Sequence, residues 1–372
     1  MAFRSGVSVL VLNPGSSTLK FAVYRGDARL AGGTIEGVSS DATAEAIRQA
    51  RGGQAPPPVP PPVDASIEAV GIRVVHGGSK LVKPARVDGA VVEEIGRLAA
   101  IAPLHNPIAL RVIEDVRRSL GDVPIVAVFD TAFHQTLPAV AATYAVPPEL
   151  GVRRYGFHGI SYSYVSKRLR DLGAGSRLII CHLGNGASVC AVRDGVSVDT
   201  SMGLTPMEGL VMGTRAGDLD PGVILYLLRG GKSEADLDEL LNRRCGLFGV
   251  SGRSADVREL EKISREGDAR AQLALEIFAY RVAKYIGAYA AVLGGIDAVC
   301  FTAGIGEHSA PMRRRICERL AFLGVEIDEG LNDAARKDER RISAGPTAVW
   351  VVPTNEELEI ARLTRKELGI RD

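Results

Sequence analysis

The chain reads as an α/β protein of two duplicated lobes, and three observations lead there. Residues 7–24 (VSVLVLNPGSSTLKFAVY) set two apolar runs on either side of a polar turn, and residues 178–199 repeat that plan. Strand-like apolar runs and helix-like amphipathic stretches both recur along the chain. At 372 residues, 46% hydrophobic and 24% charged, the chain is too long for one core and suits two.

The opening segment predicts strand, turn and returning strand. Its turn holds Asn13, Gly15, Ser16, Ser17 and Thr18, with Pro14 its only bulky residue. Exposed backbone N–H groups, three hydroxyls and Lys20 suit phosphate oxygens, although an ordinary hairpin turn has a similar composition. A Walker A loop is excluded: no second glycine precedes Lys20, and the chain continues as LKFAVY, a strand. A Rossmann turn fails for the same reason. What remains is a phosphate loop folded between antiparallel strands, as in the actin and sugar-kinase superfamily.

Residues 25–27 form a second turn and 28–35 a third strand, followed by a short helix at 41–51. The run GGQAPPPVPPPV at 52–63 excludes helix and central strand and predicts an extended surface connection. Residues 66–75 read as a strand entering RVVHGG, where Arg73 either faces inward at a mouth or snorkels to solvent. Helices are expected at 92–101 and 107–120, the second with Asn106 as N-cap and Pro107 at its first position. Strand 125–129 ends at Asp130, which either faces a ligand or caps the next helix at Thr131 or Ala132.

The second lobe opens with strand 178–183, turn 184–187, strand 188–192, turn 193–195 and strand 196–199. Two facing lobes would hold a nucleotide phosphate chain between the turn at 13–18 and that at 182–186. Helices are expected at 220–229 and 234–243, the latter opened by a Ser233 and Asp236 box, with a glycine-rich connection at 247–253. Residues 268–293 form a long amphipathic helix, either central to the lobe or a dimer face. Strand 297–302, turn 303–307 and helix 310–323 make an adenosine shelf. Strand 349–352 and a Thr354-Asn355-Glu356-Glu357 capping box lead into the C-terminal helix, which ends near Gly369.

With 45 basic and 44 acidic residues, the net charge of +1 gives no reason to expect nucleic acid or an anionic membrane as partner. Five scattered cysteines without a CxxC pair read as buried and reduced. The apolar run 7–12 is too short for a signal segment, and no stretch is long and apolar enough to span a bilayer, so a cytoplasmic protein is expected.

Taken together, NPGSSTLKF, RVVHGG, APLHNP, AVFDTAFHQTLP, YGFHGISY, CHLGNGASV, DTSMGLTPMEGLVMGTRAGDLDPG, FTAGIGE and PTNEELEIAR closely resemble the acetate kinase family, in order and over nearly the whole chain. The related short-chain propionate kinases share most of these motifs. The resemblance implies two ribonuclease-H-like, actin-like ATPase lobes with a nucleotide cleft between them, residues 1–132 plus 358–372 forming one and 133–357 the other. It also implies a homodimer and transfer of the ATP γ-phosphoryl group to acetate, with magnesium, or manganese in its place.

Residue by residue, the resemblance assigns Asn13 and Glu356 to the metal, and Lys20 to ATP. Arg73 is matched to the substrate, with Val75, Leu104, Phe157 and Pro206 as its small apolar pocket. Asp130, His158 and Arg215 match the catalytic positions. Nucleotide contacts fall on His182, Leu183, Gly184, Asn185 and Gly186, on Asp256, Val257 and Arg258, and on Ala303, Gly304, Ile305, Gly306 and Glu307. His76, His105, His134 and His308 read as structural or surface residues. The chain departs from the family pattern at Pro14, at Thr18 in place of serine, at Ala303 in place of glycine, and in the shortened segment around 52–63.

These residue types suit phosphoryl transfer, which asks for in-line positioning and neutralisation of spreading negative charge. Arg215 and His158 would meet the transferring group, and Arg73 would hold the acceptor carboxylate with two parallel bonds. A carboxylate is already ionised at neutral pH and needs no general base, so Asp130 is expected to orient groups, not to take a proton. Two rivals stand beside this reading: the same chemistry on propionate or butyrate, and an actin-like or chaperone-like ATPase with conformational output.

Overall fold

The structure, a computed structural model, describes residues 6–15, 18–52, 66–334 and 338–370. Ser16 and Ser17 of the first turn and residues 53–63 of the proline-rich run lie outside these. The chain divides into two units, Met1–Gln135 with Gly159–Ser161 and Asn355–Asp372, and Thr136–His158 with Tyr162–Thr354.

The first unit is built on β1 (Ser8–Pro14), β2 (Thr18–Arg25), β3 (Ala28–Glu36), β4 (Ala69–Val74), β5 (Ala85–Arg86) and β6 (Ile125–Phe129). They form a six-stranded sheet in the order β3-β2-β1-β4-β6-β5. Strands β1 to β3 are an antiparallel meander, β4 and β6 run parallel to β1, and β5 closes the edge antiparallel. Every residue of β1 and β6 is buried, as expected of central strands covered on both faces. Leu10, Leu12, Val70, Ile72 and Phe129 pack with Ile47, Val112, Ile113 and Val116 from the helices. Each such side chain contributes about 1.5–3 kcal/mol by leaving water.

The second unit repeats the design with β7 (Arg177–Leu183), β8 (Ala187–Arg193), β9 (Val196–Thr200), β10 (Ala298–Thr302), β11 (Arg340–Arg341) and β12 (Ala348–Val351). Its order, β11-β12-β10-β7-β8-β9, is that of the first sheet read from the other edge. The likeness extends to irregularities: the register shifts between Val23 and Tyr24 in one meander and between Ala191 and Val192 in the other. Asn13 and His182 therefore hold equivalent places, each one residue before the end of its strand, facing Lys20 and Ser188 respectively.

The C-terminal helix, Glu356–Glu367, returns to the first unit and packs on β1, β4 and β6. Gly71 in β4 makes this approach possible, because a Cβ there would lie 2.3 Å from the Thr364 hydroxyl oxygen. The long helix is Ala269–Leu293, capped by Asp268 and stopped by left-handed Gly294.

Several local expectations are corrected. Asn106 is the first helical residue and not a cap. Its fully buried amide accepts from the His76 N–H at 3.2 Å and donates to the His76 and Ile95 carbonyls. The glycine-rich connection contains a helix, Gly246–Ser251, which packs on the long helix. Residues 303–307 are not an open turn, since Ala303–His308 is helical. The C-terminal helix is capped by Asn355, whose side chain accepts from Leu358 N–H at 3.0 Å, and not by a Thr354 box.

Candidate active site

In the first unit, four side chains expected to act together do meet. The Asn13 amide donates to Glu356 at 3.1 Å and to Glu357 at 2.9 Å. Arg73, near the end of β4, grips Asp130 through Nε at 3.0 Å and Nη2 at 2.6 Å. Its Nη1 reaches the Pro14 carbonyl at 3.2 Å and the Asn13 side-chain oxygen at 3.5 Å. Parallel strands β1, β4 and β6 bring Asn13, Arg73 and Asp130 to one sheet end, where ligand-facing groups of α/β sheets gather. Asp130 is 1% exposed, its carboxylate turned to Arg73 and not to solvent.

Burial pushes the Asp130 carboxyl upward; Arg73 pulls it back, and the charge of Glu356 pushes it up again. For Arg73, burial works against the cation but is outweighed by Asp130, Glu356 and Glu357, so its pKa is raised and it stays protonated. The expected two-bond grip of Arg73 on a substrate carboxylate is not preformed. That face of the guanidinium is already taken by Asp130.

In the second unit, His158 and Arg215 converge on the second glycine turn. A Cβ placed on Gly186 would lie 2.8 Å from Arg215 Nη2 and 3.5 Å from His158 Nε2. His158 is held from behind: its Nδ1 is 2.8 Å from the Ser188 hydroxyl, which also meets the Tyr162 hydroxyl. The His158 ring stacks on His182 with centroids 4.1 Å apart. Its backbone is left-handed, with φ of 57°, a conformation that costs a non-glycine residue about 1–2 kcal/mol and is found at functional sites. Arg215 Nη1 donates to the Pro206 carbonyl. Among the described residues no carboxylate pairs with Arg215, and burial lowers its pKa to about 10. A partly buried cation without a counter-charge is a site for an incoming anion.

Beside that turn lies a cavity of about 560 Å³ lined by the second turn (Gly184, Asn185), the start of helix Val257–Arg265 and the short helix Ala303–His308. Of the expected nucleotide residues, Gly184, Asn185, Asp256, Val257, Arg258, Gly304 and Ile305 line it. His182, Leu183, Gly186, Ala303, Gly306 and Glu307 do not, although His182 and Gly186 belong to the neighbouring cluster. Asp256 caps its helix by accepting from the Arg258 N–H at 2.8 Å and pairs with the Arg258 guanidinium, which holds its carboxyl below the usual range.

Glu261 and Ser309 also line the cavity and escaped the sequence reading; His308, which was read as a structural or surface residue, lines it too. The Ser309 hydroxyl donates to Glu261 and also accepts from the Met312 N–H at 3.0 Å. The one available signal was spacing: Glu261 stands one helical turn beyond Val257, on the same face.

Among the proposed pocket residues, Val75 and Phe157 are buried, at 6% and 1%, whereas Leu104 is 39% exposed and Pro206 is half-buried. Val75 and Leu104 belong to the first unit, Phe157 and Pro206 to the second. Lys20 is exposed on β2, directly opposite Asn13.

Two sheets of one topology, each with a turn at the end of its first strand, define the actin-like ATPase fold. The Acetokinase family model matches residues 61–362, and the chain belongs to that family of phosphotransferases, as its motifs implied. An acetate kinase of Pseudarthrobacter chlorophenolicus is 47% identical, over 97% of this chain and 99% of its own length. The crystal structure of Porphyromonas gingivalis acetate kinase superposes with a TM-score of 0.87 at 36% identity, covering 97% of this chain and 100% of its own. A propionate kinase from Francisella tularensis has the same TM-score at 37% identity, covering 97% and 99%. Among the described residues no helix is long and apolar enough to cross a membrane.

Proposed function

We propose that the chain is an acetate kinase, transferring the ATP γ-phosphoryl group reversibly to acetate to give acetyl phosphate and ADP. The observation that carries this reading is the convergence of Arg215 and His158 on Gly186, with no carboxylate opposing Arg215 among the described residues. A γ-phosphoryl group presented over that turn would supply the missing negative charge. Donors fixed in place beforehand, and partly shielded from water, stabilise developing charge most effectively. Ser188 would keep His158 aimed by holding Nδ1, and the cavity lined by Gly184, Ile305 and Val257 would take the nucleoside.

Magnesium belongs to this proposal. The described residues hold no cluster of three or more His, Cys, Asp or Glu that would cage a metal alone. A magnesium ion that bridges phosphates needs only one or two protein oxygens, the rest being water and nucleotide. Asn13, Glu356 and Glu357 fit that requirement: hard oxygen donors, with the carboxylates of Asp130, Glu356 and Glu357 facing the single charge of Arg73. When bound, the ion would neutralise phosphate charge. Asn13 would keep the two glutamates from springing apart, and Asp130 would fix Arg73, whose outer Nη2 hydrogen is left for the acceptor.

The reading includes a cytoplasmic enzyme and a homodimer. Support for the latter comes from helix Pro221–Arg229, none of whose residues is buried, with Leu225 51% and Tyr226 74% exposed. Propionate is the second reading, favoured by the equal structural likeness to a propionate kinase. One added methylene changes binding by only about 1–3 kcal/mol, so the two substrates differ in degree. The test runs the reaction backwards: purified enzyme with magnesium, ADP and either acetyl or propionyl phosphate, with ATP read by luminescence. ATP from acetyl phosphate at the higher kcat/KM supports the proposal. ATP from neither phosphate sinks it.

A further inference from the structure

Glu307 was expected to touch the nucleotide, yet its carboxylate is used inside the protein. One oxygen, Oε1, accepts from the Ala303 N–H at 2.7 Å and from the Thr354 N–H at 3.1 Å. The first bond closes the turn that carries the cavity residues Gly304 and Ile305. The second fixes the backbone one residue ahead of Asn355, the cap of the helix that begins at Glu356. The turn is also gripped from its other side. Buried Arg313 donates through Nη1 to the carbonyls of Gly306 at 2.9 Å and Glu307 at 3.0 Å, and is itself anchored on Asn332 by Nε and Nη2 at 2.8 Å each. Ala303, left-handed at φ of 64°, is held in that conformation by this bracing.

We propose that Glu307 is a positioning residue which ties the start of helix Ala303–His308 to the backbone of Thr354, so that one carboxylate holds the nucleoside wall in place. The inference rests on the nucleotide reading of the cavity but not on which acceptor is phosphorylated. Both partners of Oε1 are backbone amides, so an acceptor oxygen is required there and a negative charge is not.

The test is calorimetric binding of ADP to the full chain for Glu307→Ala and Glu307→Gln. Glu307→Ala should weaken ADP about tenfold, because two amides lose their acceptor. Glu307→Gln, which keeps an acceptor oxygen at that place, should stay within about threefold of the parent. A folded Glu307→Ala that binds ADP as the parent does overturns the proposal, and so does a Glu307→Gln as weak as Glu307→Ala. Should Glu307→Ala fail to fold, Glu307→Asp, whose oxygen is drawn back by one methylene, takes its place in the same comparison. Parent protein that binds ADP but phosphorylates neither acetate nor propionate would refute the proposed function and leave this inference standing.

Discussion

Asn13 and Glu356 stand 343 positions apart in the chain and share a hydrogen bond of 3.1 Å. The first strand supplies the amide and the last helix the carboxylate, and the close packing at Gly71 puts the helix within reach. The Asn13 amide also donates to Glu357 at 2.9 Å, so it bridges two carboxylates that would otherwise repel.

Asn13→Ala should therefore act through metal dependence more than through folding. The half-saturating magnesium concentration is expected to rise tenfold or more, in the range of about 10–100-fold for lost partners of metal ligands. A magnesium titration of initial rates checks this. Unchanged magnesium dependence would remove Asn13 from the metal site.

Arg215 sets activity against stability. Its partly buried charge has no carboxylate opposite it among the described residues, and its folded pKa, about 10, lies below its ordinary 12.5. The charged form therefore costs stability at neutral pH, and that cost is relieved as pH rises through about 10. Arg215→Leu should lower kcat by roughly a thousandfold or more. It should also leave the nucleotide-free protein equally stable or more stable by about 1 kcal/mol, read by urea unfolding at pH 7.

Ala303 occupies a position whose backbone favours glycine, with φ of 64°. Ala303→Gly relieves left-handed strain and is expected to stabilise the chain by about 1 kcal/mol, with the glycine's extra freedom in the unfolded chain trimming the gain. ADP affinity should change less than about threefold, because the Glu307 bond is to the backbone. Urea unfolding and calorimetry read the two effects separately.

For Asp130, burial raises the carboxyl above its ordinary 3.8, so its charge costs stability at neutrality and the cost fades as pH falls through the folded value. Asp130→Asn keeps an acceptor for Arg73 but removes half of the ion pair. Activity should fall by about a hundredfold or more, since a misaligned partner one ångström away can cost that much. The pH–rate profile from 6 to 8 should stay flat in both proteins. An acid limb present in the parent and absent from Asp130→Asn would assign Asp130 as a general base.

The duplicated topology was legible because each hairpin announces itself locally: apolar runs on either side of a short turn rich in Asn and Gly. Asp130 and Arg73 were legible as charges at the ends of apolar strands, but their mutual ion pair was not, because strand order is a non-local property. Asn106 looked like a cap since Asn before Pro is common there, and a long-range claim by the His76 and Ile95 backbone overrode that preference. Glycines at 249 and 252 argued for a loop, yet packing against the long helix holds a helix over Gly246–Ser251. The inward turn of Glu307 and the cavity-facing side of Glu261 depend on tertiary placement that no local pattern encodes.

The central claim is transfer to a carboxylate, and its most direct measurement is chemical trapping of the product. Enzyme, ATP, magnesium and acetate are incubated with hydroxylamine, which converts an acyl phosphate to its hydroxamate. The account predicts acetohydroxamate formed in step with ADP, lost in Arg215→Leu, and propionohydroxamate formed at a lower kcat/KM. ADP released at the same rate with no acceptor present, and no hydroxamate from either acid, would contradict it and point to an ATPase whose output is conformational.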